Sequence, residues 1–494
     1  MKALKLFVSL AIAGFVIACG PKEDDTIVPP TPSKPDSGDP KPPTPNPKDD
    51  FVFNEARAFA SDLFEKWTDP TSGVVSYILK SENDDGSLKF GWECSQSSYF
   101  NAKSMTNDGR FIFFLGSNKG YAGGARCGMI IDLKTRKIHR IDNCSFIPCP
   151  YVDLDEDRIY YGKVTDSNKN RAKFYRRDLL VDPAVEIPLA ELPSSLIPAG
   201  IARPIKRLAN HLTLTQDKTK VLLDMRIGDE FVVGLLDLYS GAWDEWYRGD
   251  VNLTHGQLHP KRDDLALMAT DHYDKIDGTE VPIVKDPETY EGFPNGVYPR
   301  IQIVSKGSRY TMLPDTEASS GRNGGYASHE RWDESGDWVY WCSGGVCIRK
   351  LSNALKTGEP SNYTSLVDGP AYYKYTSGTN VTTNQTASFT ASHCFFSTDH
   401  TMVTFDDQSP DYYRSCNWKV RFFNIKTRKW VFIHTLLPAL VSKEESTSAY
   451  QNWHTDPHPQ FNCNDNYILC TAQREDKTIR LSITPVKQLI DMTK

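Results

Sequence analysis

His329-Glu330-Arg331-Trp332-Asp333-Glu334-Ser335-Gly336-Asp337-Trp338-Val339-Tyr340-Trp341 holds a short alternating run, a turn built on Asp and Gly, and an apolar strand. That order is the pattern of a tight β-hairpin. The same template starts at Asn101 (NAKSMTNDGRFIFF), Cys149 (CPYVDLDEDRIYY), His211 (HLTLTQDKTKVLL) and His255 (HGQLHPKRDDLALM). It returns at His393 (HCFFSTDHTMVTF) and His458 (HPQFNCNDNYILC). The seven copies are spaced from 44 residues (His211 to His255) to 74 residues (His255 to His329). Two more strands usually follow each copy, as 129–132 with 138–141 and 420–424 with 430–434. Four strands per repeat at this period predict an all-β fold, a seven-bladed β-propeller. A pair of β-sandwiches has no reason to repeat one hairpin seven times. A helix-period stretch from Asn54 to Trp67 predicts a short N-terminal helix on the side of the disc.

The N-terminus predicts export. Lys2 and Lys5 precede an apolar run from Leu6 to Ala18, the length of a signal-peptide core and too short for a membrane span. Val16-Ile17-Ala18-Cys19 resembles the lipobox of bacterial lipoproteins. The resemblance implies a signal peptide over 1–18 and a lipid on Cys19. Lys22-Glu23-Asp24-Asp25 resembles the acidic export tag of surface lipoproteins of the Bacteroidetes, which implies an outer-membrane, cell-surface location. Residues 19–50 are rich in Pro, Lys, Asp, Ser and Thr, and form an extended spacer. The folded body is 51–494. Contact with the membrane is through the lipid anchor alone.

A formal charge of −6 gives no basis for a nucleic-acid partner. Of the 11 cysteines, ten remain beside Cys19, an even number in an oxidising compartment. Cys144/Cys149, Cys342/Cys347 and Cys463/Cys470 are close in sequence, but proximity does not set connectivity.

The first positions of the seven copies read Asn101, Cys149, His211, His255, His329, His393 and His458. Five consecutive blades thus begin their innermost strand with His, although the chain has only 11 His in 494 residues. The innermost strands of a propeller line its central channel and begin on one face, so these imidazoles should converge at one mouth. Such a cluster suits a transition metal or general acid–base chemistry. Gln451 and His454, just before His458, belong to a loop that would reach the same mouth. Arg226 lies on the strand after His211, and Tyr273 follows the second strand of the His255 blade.

His329-Glu330-Arg331-Trp332 opening one blade and His458-Pro459-Gln460-Phe461 near the C-terminus make the chain resemble the oligogalacturonate lyases. Their propeller relatives include the ulvan lyases. Gly256-Gln257-Leu258-His259-Pro260 fits the mid-chain His blade of the same family. The resemblance implies β-elimination on an acidic oligo- or polysaccharide, with a divalent metal (manganese, calcium or zinc) held by later-blade His and a nearby Gln. Carried over, His329 and His458 are metal ligands, with His393, Gln451 and His454 as the neighbouring donors. His255 becomes a catalytic partner, beside His211 and Tyr273, and Arg226 the base or the group that neutralises the uronate. The family places a Gln and two His close together before the Pro; here Asp456 occupies the slot of the first of those His.

Elimination across a uronate removes a weakly acidic proton beside a carboxylate, so neutralising that carboxylate is the main catalytic requirement. A guanidinium is almost always protonated, which makes a neutral His211 or His255 the easier base. The alternative is a propeller that binds glycan or protein without cleaving it. A hydrolase finds little support, since the chain has no Gly-x-Ser-x-Gly elbow.

Overall fold

Phe111–Ser117 is buried at every one of its seven positions, and Tyr467–Gln473 likewise. A strand loses both faces to neighbours only when sheets stack on each side of it. The computed structural model shows this stacking. It describes residues 50–99, 101–118, 127–141, 149–249, 252–270, 301–311, 328–351, 372–408, 417–439 and 456–494.

Seven sheets are present among the described residues. Their innermost strands are Cys94–Gln96, Tyr151–Asp153, Ile205–Arg207 with Thr213–Leu214, Leu253–His259, Ser328–Trp332, His393–Phe396 and Gln460–Asn462. These open blades 1 to 7. In blades 1 to 5 each later strand pairs antiparallel with the one before it. The fold is a seven-bladed β-propeller. The hairpin Ser377–Asn380/Gln385–Ser388 adds to the outer edge of blade 6 through a parallel pairing with Lys429–Leu437.

Blade 7 closes the ring with strands from both ends of the body. Gln460–Asn462, Tyr467–Gln473 and Ile479–Pro485 are completed by Val75–Leu79 and Phe64–Thr68. This revises part of the expected helix. Glu55–Ala58 is helical, with Asn54 Oδ1 accepting from the Arg57 amide at 3.0 Å, but the chain is a strand from Phe64 onward. Pairing with Val75–Leu79 buries Phe64, which outweighs a helical period spread over a few residues. A C-terminal helix, Val486–Met492, buries Val486 and Leu489 against blades 6 and 7.

The Asp turns form as their chemistry requires. Asp108, Asp217 and Asp399 each accept from the backbone amide two residues on, at 2.9–3.0 Å. Adjacent blades are tied at this end by Asn107 to Asp155, the Gln216 amide to Asp263, and the Thr398 amide to Asp465. No disulfide joins any of the eight described cysteines, all of which are buried.

A candidate metal and acid–base centre

The inner strands of blades 4 and 5 lose register at their histidines, between Thr254 and Gln257 and between Ser328 and Arg331. His255, His329 and His458 all have left-handed backbone, with φ of 56°, 57° and 45°. That conformation costs a side-chain-bearing residue about 1–2 kcal/mol. Bulges of this kind re-aim side chains.

The five imidazoles come together. Ring centroids are 3.9 Å apart for His329–His393, 4.0 Å for His393–His458, and 6.0 Å for His211–His255. His329 is half-buried and the other four are buried. Tyr99 stands among them, 4.9 Å from His458, 5.7 Å from His255 and 6.3 Å from His211 between ring centres. The expected hairpin of blade 1 forms just after it, with Met105 bridged to Ile112 and the Phe113 amide donating to the Ser104 carbonyl at 2.7 Å. Ahead of that hairpin the inner edge of the blade is Cys94–Gln96, and Asn101 lies in a turn. Gln460 Nε2 donates to the carbonyls of Ser98 and Tyr99. Cys149 is in parallel bridge with His211, which joins blade 2 to blade 3.

Carboxylates organise the rings. His393 Nδ1 lies 2.9 Å from both oxygens of Asp406, and its Nε2 is 3.3 Å from Asp456 Oδ2. The same Asp456 oxygen is 3.4 Å from His458 Nε2. His255 Nδ1 meets Glu330 Oε1 at 3.0 Å. Burial alone would push the His393 imidazole down, but Asp406 outweighs it and holds the proton above the ordinary imidazole range. His458 and His211 fall well below that range, through burial first and neighbouring imidazoles second. Both are therefore neutral near pH 7, with lone pairs to offer.

His393, Asp456 and His458 each bring one ligand atom within 4.8 Å of the others. Two imidazole nitrogens and a carboxylate, with the far nitrogen of His393 held by Asp406, are a donor set that fits a divalent transition metal. A cavity of about 380 Å³ runs from His211 towards the Asp-turn face, past Gln257, Arg331 and Lys103.

Arg226 lies on the second strand of blade 3, opposite Arg207, with its guanidinium 5.6 Å from the Phe231 ring. Cys19, Tyr273, Gln451 and His454 lie outside the described residues. Asp406 and Tyr99 are not among the sequence candidates, and Glu330 is named there only within the motif His329-Glu330-Arg331-Trp332. Asp406 stands on the second strand, Met402–Gln408, directly opposite His393 in register. Asp224 stands the same way in blade 3, accepting from the Asn210 amide beside His211.

No protein-family model matches the chain, and no curated protein does. Among solved structures the chain is similar to an oligogalacturonate lyase in complex with manganese. The TM-score is 0.54 at 14% identity, over 85% of this chain and 96% of that one. It is similar also to the oligogalacturonate lyase from Vibrio parahaemolyticus, with TM-score 0.54 at 14% identity over 86% and 96% of the two chains. At this identity the likeness carries the fold, a propeller of the architecture that those two lyases share.

Proposed function

We propose that this chain is a lipid-anchored, cell-surface polysaccharide lyase that cleaves uronate-containing glycans by β-elimination. The observation that carries the reading is the buried His393–Asp456–His458 group at the centre of five convergent imidazoles. A propeller neighbour that is an oligogalacturonate lyase with manganese supports it. His393, Asp456 and His458 would hold the metal, with the half-buried His329 beside them. Two nitrogens in the set favour manganese or zinc over calcium, which takes oxygen ligands. Once bound, such an ion supplies positive charge that stabilises a uronate carboxylate as its neighbouring carbon loses a proton. His211, neutral and lining the cavity, is the base. The chain is anchored through Cys19 at the outer membrane.

The test is absorbance of a newly formed C4–C5 double bond when the body, residues 51–494, meets pectin, ulvan or glycosaminoglycan fragments. Silence across all three classes would overturn the reading. A second reading, a propeller that binds an acidic glycan without cleaving it, is favoured by the burial of four of the five rings. Undiminished glycan affinity after His211→Ala and His255→Ala, with no product, would establish it.

A further inference from the structure

We propose that the cavity running from His211 to the Asp-turn face is a subsite for one acidic sugar, and that Arg331 receives the carboxylate of that sugar. The inference rests on the acidic-glycan reading above and names the residue that reads the charge.

The strand sets where Arg331 points. Ser328–Trp332 is the inner strand of blade 5, and Arg331 stands opposite Tyr340 in register. Alternation sends neighbouring side chains to opposite faces of a blade. Trp332 Nε1 donates to the Gln257 carbonyl of blade 4 at 3.1 Å, whereas the Arg331 guanidinium lies 3.8 Å from the centre of the Phe395 ring of blade 6. A guanidinium laid on an aromatic face keeps its charge and presents its N–H donors as a fixed fork.

The acids on the cavity wall are committed elsewhere. Glu334 pairs with Lys103, Asp153 with Lys218 at 3.3 Å, and Asp333 with His400 at 3.3 Å. Asp155 is exposed at the rim and accepts from Asn107 at 2.9 Å. Among the described residues none of these four forms an ion pair with Arg331. Its charge therefore faces the cavity wall without a counter-ion of its own.

Polar atoms on two sides of the same space lack partners. Arg331 Nη1 and both amide atoms of Asn101 are buried and meet no hydrogen-bonding group among the described residues. Buried polar atoms left unmet are costly and uncommon, so two such side chains on one cavity point to a polar occupant. His211 closes the inner end. Burial chiefly lowers its pKa and the Arg331 charge adds to that, which puts guanidinium and imidazole within electrostatic reach.

Shape and chemistry then select the occupant. About 380 Å³ is at the low end for small-ligand pockets and suits a single sugar ring. Leu214, Leu258 and Pro260 supply apolar wall for the C–H face of that ring. The two oxygens of a carboxylate match the guanidinium fork, which an uncharged sugar cannot do.

The probes are methyl galacturonoside, which carries the carboxylate but has no glycosidic bond at C4 to break, and methyl galactoside, its uncharged counterpart. Each is titrated calorimetrically into native protein, Arg331→Gln and Arg331→Lys. Expected is tighter binding of the galacturonoside by native protein, with a loss on the order of 10- to 100-fold in Kd in Arg331→Gln and little change for the galactoside. Metal content and melting temperature of Arg331→Gln should match the native protein, which separates a lost contact from a lost fold. Should Arg331→Gln prove less stable, Arg331→Lys carries the test: it keeps a charge without the fork, so reduced preference supports the proposal and undiminished preference overturns it. Undiminished preference in Arg331→Gln would overturn the proposal and leave the lyase reading, tested by product absorbance, standing. Equal affinity of native protein for the two probes would overturn it as well. Preference lost in Arg331→Gln, with no elimination product from any glycan, would uphold the subsite and overturn the cleavage.

Discussion

His393 Nδ1 lies 2.9 Å from each carboxylate oxygen of Asp406, and this pairing turns Nε2 towards Asp456. The two residues face each other in register across the first two strands of blade 6, so the backbone sets the contact. Partners of this kind raise the basicity of a ligating imidazole and typically account for ten- to hundredfold in metal affinity. Asp406→Asn should lower affinity for manganese or zinc by about that factor while the propeller stays folded, as read by calorimetric titration of metal into the purified body. Unchanged affinity would remove Asp406 from the account.

His434 predicts the response to acid. It sits at the closing seam, with Nε2 3.0 Å from Ser482 Oγ and its ring stacked 4.8 Å from Trp67. Burial lowers its pKa to about 4, with Asp69 opposing. An unfolded imidazole titrates near 6.5, so below that pH the unfolded chain binds a proton that the folded one refuses. This stability is present above about pH 6.5 and is lost as pH falls towards 4, by on the order of 3 kcal/mol. Melting temperatures between pH 7 and 4.5 should fall more steeply in the native protein than in His434→Gln. Parallel curves would refute the assignment.

Closure of the ring depends on 51–79. Phe64, Ile78 and Leu79 are buried in the seam, and Ile479–Pro485 pairs with Val75–Leu79. Burying three such side chains contributes roughly 5–8 kcal/mol, comparable with the whole stability of a typical domain. A body beginning at residue 80 should therefore lose its cooperative denaturant transition and aggregate through the exposed edge. A transition midpoint close to that of residues 51–494 would contradict the closure argument.

Left-handed backbone at His329 gives a paired test. His329→Ala and His329→Gly both remove the imidazole, but only Gly accepts φ of 57° freely. The Gly variant should be more stable than the Ala variant by about 1 kcal/mol, with equal loss of elimination activity. Equal stability would mean that the strain relaxes once the imidazole is gone.

Much of the fold is written in the Asp turns, because Asp108, Asp217 and Asp399 make the same local hydrogen bonds wherever they occur. The five histidines sit near one register for the same reason, although only His393 begins its inner strand: His255 and His329 lie inside theirs, and His211 and His458 stand just ahead of Thr213 and Gln460. What escaped is non-local. Phe64–Thr68 becomes a strand only because Val75–Leu79 and, beyond it, Ile479–Pro485 wait for it some 400 residues away in the chain. Tyr99 stands ahead of the blade 1 hairpin, so a template that starts at Asn101 does not contain it. Asp456 stands where the family resemblance expects a His, and as a residue type it looked like a loss. In space it is the carboxylate between His393 and His458.

The most direct test of the central claim is elemental analysis of the body, residues 51–494, purified beside Asp456→Ala and His458→Ala. The account predicts about one equivalent of manganese or zinc per chain in the native protein, and its loss in both variants with the fold retained. Native protein that takes up no divalent metal, or variants that keep it, would contradict a centre built on His393, Asp456 and His458.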